Sequence, residues 1–168
     1  MLVIGRIFRK LFSYIRIGCI KLFRKNITLG KKLSFRKRFT INCSREGKLA
    51  IGDNVFFNND CSLNVRQSVT IGNDSIFGEA VKIYDHNHVF KTKGQKVADQ
   101  GFSCKPVVIG NNCWIGSNAV ILAGTEIGDN TVIGAGCVVH GVIPPDSVLK
   151  NSSNYTLEKI KYTTGEMI

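Results

Sequence analysis

Residues 106–139 read PVVIGNNCWIGSNAVILAGTEIGDNTVIGAGCVV and repeat every six positions. Ile109, Ile115, Ile121, Ile127, Ile133 and Val139 fall six apart, and Gly110, Gly116, Gly128 and Gly134 each follow one of them directly. The fifth place of each unit is small or modest in bulk: Cys113, Ala119, Thr125, Thr131 and Cys137. A period of six fits neither an amphipathic helix nor a simple alternating strand. It fits short strands joined by turns that stack into a solenoid, three six-residue sides to a triangular coil. The branched aliphatic residue then points inward, the fifth residue fills the remaining interior, and Gly, Asn or Asp supplies the corner dihedrals.

The same period runs weakly upstream. Leu29, Phe35 and Ile41 hold the inward place with poor turn chemistry, as a terminal repeat should. After a short slip it resumes with Ile51, Phe57 and Leu63, and after two more residues with Ile71, Phe77 and Ile83. This predicts an all-β protein of about five coils, three before an interruption and two after it. The interruption, residues 89–105, loses the period and is rich in Lys, Gly and Gln, the mark of a functional loop. Beyond Ile143, Pro144 and Pro145 are expected to end the ladder, because proline has no N–H to give it. The solenoid domain then covers 27–144, and 145–168 is a polar tail with a short helix around 157–161.

The net charge of +11 is unevenly placed. Through Arg45 the chain has 13 Lys and Arg and no Asp or Glu, so the remainder carries 10 against 12. That confinement argues against a nucleic-acid groove over the whole body and for a basic surface at one end. Residues 1–26 place Ile4, Phe8, Leu11, Phe12, Ile15, Cys19 and Leu22 on one helical face, with Arg6, Arg9, Lys10, Arg16, Arg24 and Lys25 on the other. Their apolar runs are too broken to span a bilayer. The helix either docks on anionic lipid or caps the open end of the solenoid. The six cysteines show no CxxC spacing, and no signal peptide precedes them. Cys61, Cys113 and Cys137 occupy fifth places, so they read as reduced core residues of a cytoplasmic protein.

The segment Ile83–His88, IYDHNH, stands where the repeat breaks into the excursion. Together with the hexads it resembles the hexapeptide-repeat acyltransferases, most of all the galactoside, maltose and surface-polysaccharide O-acetyltransferases. The resemblance implies a left-handed parallel β-helix, acetyl-CoA as donor, no metal and a homotrimer with clefts between prisms. It places the catalytic histidine at His88, with His86 and Asp85 in support. A neutral imidazole titrating near physiological pH suits removal of an alcohol proton during attack on a thioester. Asp85 either orients an imidazole or caps the turn.

By the same resemblance, Asn58 matches an acceptor-holding asparagine, Trp114 sits against the histidine across a subunit boundary, and Ser117 and Ala135 line the acetyl-CoA cleft. A backbone N–H near Ser117 would stabilise the oxyanion. Two departures stand out. Where the galactoside enzymes carry an acidic pair, this chain has Val65 and Arg66, which suits an acidic, nucleotide-linked or lipid-linked acceptor better than a galactoside. The usual basic contacts to the CoA phosphates are missing, leaving Lys150, Lys159 or Lys161 to replace them.

The leading reading is O-acetylation of a sugar in a bacterial surface polysaccharide. Alternatives on this fold are an antibiotic O-acetyltransferase, an amino-sugar N-acetyltransferase, a non-catalytic scaffold, and a carbonic anhydrase-like metalloenzyme. The last needs three converging histidines, and His86, His88 and His140 are poorly spaced for that.

Overall fold

The computed structural model describes Gly18 and residues 24–151. The expected basic helix over 1–26, apart from Gly18 and 24–26, and the tail beyond 151, with Lys159 and Lys161, lie outside the described residues.

From Ile27 the chain winds into three parallel sheets, the faces of a prism. Face 1 stacks Ile27–Leu29, Lys48–Ile51, Ser68–Ile71, Val107–Ile109, Glu126–Ile127 and Val142–Ile143. Face 2 stacks Ser34–Phe35, Phe56–Phe57, Ile76–Phe77, Trp114–Ile115, Val132–Ile133 and Val148–Leu149. Face 3 stacks Thr40–Cys43, Ser62–Val65, Lys82–Tyr84, Val120–Ile121 and Val138–Val139. Register follows the hexads, so Ile51 opposes Ile71, Phe57 opposes Phe77 and Leu63 opposes Ile83.

Among the described residues five coils are complete, and faces 1 and 2 continue into a sixth. The expected stop at Pro144 and Pro145 is therefore corrected. Both prolines sit in a corner, where no ladder N–H is required, and Val148–Leu149 resumes the pairing beyond them.

The inward aliphatics of coils 2 to 5 are buried, as are the fifth-place residues Cys113, Ala119, Thr125, Thr131 and Cys137. In the lower coils several fifth places are larger, filled by Leu33, Phe39, Leu49, Val55 and Val69, while Cys61 and Ser75 keep it small. The axis there holds an aromatic stack, with Phe39, Phe57 and Phe77 at successive centroid spacings of 4.6 and 4.4 Å. Such pairs contribute roughly 0.5–1.5 kcal/mol beyond their buried area. Cys61, Cys113 and Cys137 are buried free thiols, and burial raises the pKa of Cys61 and Cys113. Cys104 departs from this pattern and is exposed.

The corners explain the glycines and Asx residues. Along the edge between faces 1 and 2, Asp53 Oδ1 accepts the N–H of Lys31, Asn73 Oδ1 that of Asp53, Asn111 Oδ1 that of Asn73, and Asp129 Oδ1 that of Asn111. Hydrogen bonds from the Asn111 backbone and then its side chain hold the Asp129 carboxyl below the usual carboxylate range. Gly110 lies within this ladder, where an added Cβ would stand 2.3 Å from Asp129 Oδ1. Close approach, not backbone freedom, demands glycine there.

At the corners that lead into Leu33, Phe39, Val55, Cys61, Ser75, Val81, Cys113, Ala119 and Thr131 the preceding residue is left-handed, mostly Asn or Asp but also Lys32, Arg38 and, at position 80, alanine (φ 56°). An L-residue other than Gly or Asx pays about 1–2 kcal/mol for that conformation. Ala80→Gly is expected to stabilise the fold by up to about 1 kcal/mol, after glycine's own entropy cost, as read from the urea midpoint.

Candidate active site

The excursion is a hairpin that begins earlier than the lost period suggested. His86–His88 pairs antiparallel with Phe102–Cys104, so His86 faces Cys104 and His88 faces Phe102. Val89 donates to the Gly101 carbonyl, and Lys105 returns to the Asp85 carbonyl. The tip is closed by Gln100, whose side chain accepts from Thr92 N and donates to the Thr92 and Gln95 carbonyls. Both histidines thus belong to a paired strand at the root of the excursion.

Because the chain leaves the coil here, the backbone N–H groups of Arg66 and Gln67 on the coil below lose the carbonyls a continuing strand would offer. Asp85, fully buried, replaces them. Its carboxylate accepts Arg66 N at 2.9 and 3.0 Å and Gln67 N at 2.7 Å, and it also meets His86 Nδ1 at 2.9 Å. Asp85 therefore both caps and orients, and with Nδ1 committed, His86 has Nε2 left to act. The His86 side chain is only 16% exposed.

His88 is exposed, and its ring centroid lies 4.4 Å from that of Phe102. Phe102 also meets the edge of His86 at 5.3 Å and carries the Arg66 guanidinium 3.5 Å from its centroid. Phe102 had no signal in the sequence, since its placement depends on the hairpin register.

The other expected residues gather on a different edge, between faces 2 and 3. Asn58, Ser117, Ala135 and Lys150 line it from coil 2 to coil 6. Asn58 Oδ1 accepts from Arg36 and from Asn59 N, and Ser117 Oγ accepts Glu79 N at 3.1 Å. Ala135 has no side-chain oxygen to continue this ladder. In consequence the Ser117 N–H donates to no group among the described residues. Within one protomer the two clusters stand on different edges, with face 3 between them. Trp114, 54% exposed, lies on face 2 in an apolar column with Phe56, Ile76, Val132 and Val148. His140 is exposed at the corner after Val138–Val139, on a higher coil of the edge from which the hairpin leaves, and among the described residues no three His, Cys, Asp or Glu side chains gather as a metal set.

Comparison with known proteins decides what this arrangement is. Residues 106–141 match the family described as bacterial transferase hexapeptide (six repeats). The structure superposes on the hexapeptide-repeat acetyltransferase VCA0836 of Vibrio cholerae with a TM-score of 0.72 and 28% identity, covering 89% of this chain and 81% of that one. This chain is a hexapeptide-repeat acetyltransferase.

The acetyltransferase shares the left-handed parallel β-helix of that family. VCA0836 has also been solved with acetyl coenzyme A, at a TM-score of 0.65 and 29% identity, covering 79% of this chain and 71% of that one. Over 169 residues the acetyltransferase is 28% identical to WbbJ of Escherichia coli K12, an O-acetyl transferase provisionally assigned to lipopolysaccharide biosynthesis. That alignment covers 96% of this chain and 86% of WbbJ. It is 39% identical to the galactoside O-acetyltransferase of the same organism, over 75% of this chain but only half of that enzyme's length.

Proposed function

We propose that this acetyltransferase carries the acetyl group of acetyl-CoA to a sugar hydroxyl, in the assembly of a bacterial surface glycan. The observation that carries the reading is the hairpin root, where an exposed imidazole stands beside a second imidazole locked by a buried carboxylate. WbbJ, related over nearly the whole chain, supports the glycan, and the acetyl-CoA complex of VCA0836 supports the donor.

His88 takes the proton of the acceptor hydroxyl as its oxygen attacks the thioester carbon. The oxyanion of the tetrahedral intermediate receives the free N–H of Ser117. The C–S bond then breaks, and His88 returns the proton to the departing thiolate. Asn58 and Arg66 hold the acceptor, while Ala135 and Lys150 border the coenzyme. The experiment is thiol release from acetyl-CoA by the purified chain. Release must depend on a sugar acceptor, and a rate no faster with acceptor than without would defeat the reading. The Asp85 bond favours a second assignment within this scheme, His86 as the base, which the variants in the Discussion separate.

Two clusters on separate prism edges become one cleft only if a second copy sets its edge against the first. The apolar column around Trp114 is the kind of surface such contact covers. The proposed assembly is a homotrimer, with Trp114 of one protomer against the histidines of the next. Sedimentation velocity should show a single trimeric species, and a stable, active monomer would refute both the assembly and this role of Trp114.

Among the described residues no helix is long and apolar enough to cross a membrane. The proposed location is the cytoplasm, at the inner membrane face, with residues 1–26 recruiting the protein to anionic lipid. Each engaged basic residue contributes about 1 kcal/mol near such a surface. Co-sedimentation with anionic vesicles at low salt, weakened at high salt, is the expected result; no binding at low salt leaves only the capping role.

A further inference from the structure

We propose that the acceptor carries an anionic group, a carboxylate or a phosphate, which Arg66 reads while the histidines address the hydroxyl. This rests on the acetyltransferase reading above and names the substrate class.

Three features converge on Arg66. Its backbone is pinned through both oxygens of Asp85, the carboxylate that also holds His86. The backbone of Arg66 and the His86 imidazole are therefore fixed to one buried carboxylate, and the stem of the cation starts from that point. Its guanidinium carbon lies over the Phe102 ring, 3.5 Å from the centroid, and that ring in turn meets both histidines. The two ring spacings, 3.5 Å to Arg66 and 4.4 Å to His88, bound the guanidinium-to-imidazole separation to a span that one sugar residue bridges. Finally, the side chain is exposed, and no carboxylate pairs with it among the described residues.

A stacked guanidinium keeps its in-plane donors free for a planar or tetrahedral anion, and stacking removes the rotamer freedom that binding would otherwise have to remove. The field around it has the same sign. The excursion carries Lys91, Lys93, Lys96 and Lys105 against Asp99 alone. A neutral glycoside would leave all of this unused. Phe102 acts through Arg66 and is a positioning residue.

The test compares three probes on the full-length protein: methyl glucoside, methyl glucuronide and glucose 1-phosphate. Binding is followed by ligand-observed NMR and acetyl transfer by thiol release. At least one anionic probe should be preferred over the glucoside by roughly tenfold or more, as expected of charge-assisted paired hydrogen bonds. A glucuronide preference places the anion on the sugar; a phosphate preference places it on the carrier linkage. Arg66→Gln should bring the anionic-to-neutral ratio close to one, Arg66→Lys should keep part of it, and Phe102→Leu should lower it. Equal binding of all three probes, or a ratio that survives Arg66→Gln, overturns the proposal. Acetylation of the glucoside with no anionic preference removes this inference and leaves the enzyme reading intact. Arg66-dependent anion binding without any acetyl transfer does the reverse.

Discussion

His88→Ala lowers acetyl-transfer turnover by a factor on the order of 10² to 10⁴, the range general acid–base catalysis contributes, with little change in coenzyme affinity. His86→Ala has the smaller effect. The reasoning is one of access. His88 is exposed on the hairpin and has both ring nitrogens outside any hydrogen bond among the described residues, so acceptor and leaving thiol can both reach it. His86 is mostly covered, and one nitrogen is spent on Asp85. Steady-state kinetics of the two variants, read as kcat and KM separately, decide the matter. A larger loss from His86→Ala would transfer the role of base to His86, and Asp85→Asn would then reproduce most of that loss by upsetting the tautomer. If His86 is only a support, Asp85→Asn mainly destabilises the fold, because the N–H groups of Arg66 and Gln67 lose an acceptor.

The second large effect is expected from adding a side chain. Ala135→Asn supplies at the edge between faces 2 and 3 what Asp129 supplies above Asn111: an oxygen placed to accept the N–H of the coil below. The Ser117 N–H would then be occupied. Removal of one oxyanion donor costs about 10² to 10³ in kcat, and a fall of that order is expected here. Ala135→Val adds similar bulk without an acceptor and so measures obstruction of the coenzyme alone, seen in KM for acetyl-CoA. Wild-type kcat in Ala135→Asn would show that the Ser117 N–H has no part in the reaction. The same variant should be no less stable than the parent in urea, since it completes a ladder.

Much of this protein follows from its sequence because a solenoid is built from nearest neighbours. The spacing of Ile109, Ile115, Ile121, Ile127, Ile133 and Val139 specifies strand, corner and inward face together, and each coil pairs only with those beside it. The break after IYDHNH likewise marks where the histidines leave the coil. Tertiary structure alone decided the rest. The period cannot tell that Pro144 and Pro145 fall in a corner, since a corner and a stop both lack ladder hydrogen bonds. Nor does it reveal that Leu33, Phe39 and Leu49 take a place that Cys, Ala and Thr hold higher up, because the lower interior is filled by an aromatic stack spanning several coils. Asp85 is the clearest case. Its carboxylate is needed by N–H groups up to 19 residues earlier, and they lack partners only because the chain departs into a hairpin whose register brings Phe102 onto Arg66. Local periodicity encodes repeated contacts; a site made where the repeat fails depends on contacts made once, between residues distant in sequence.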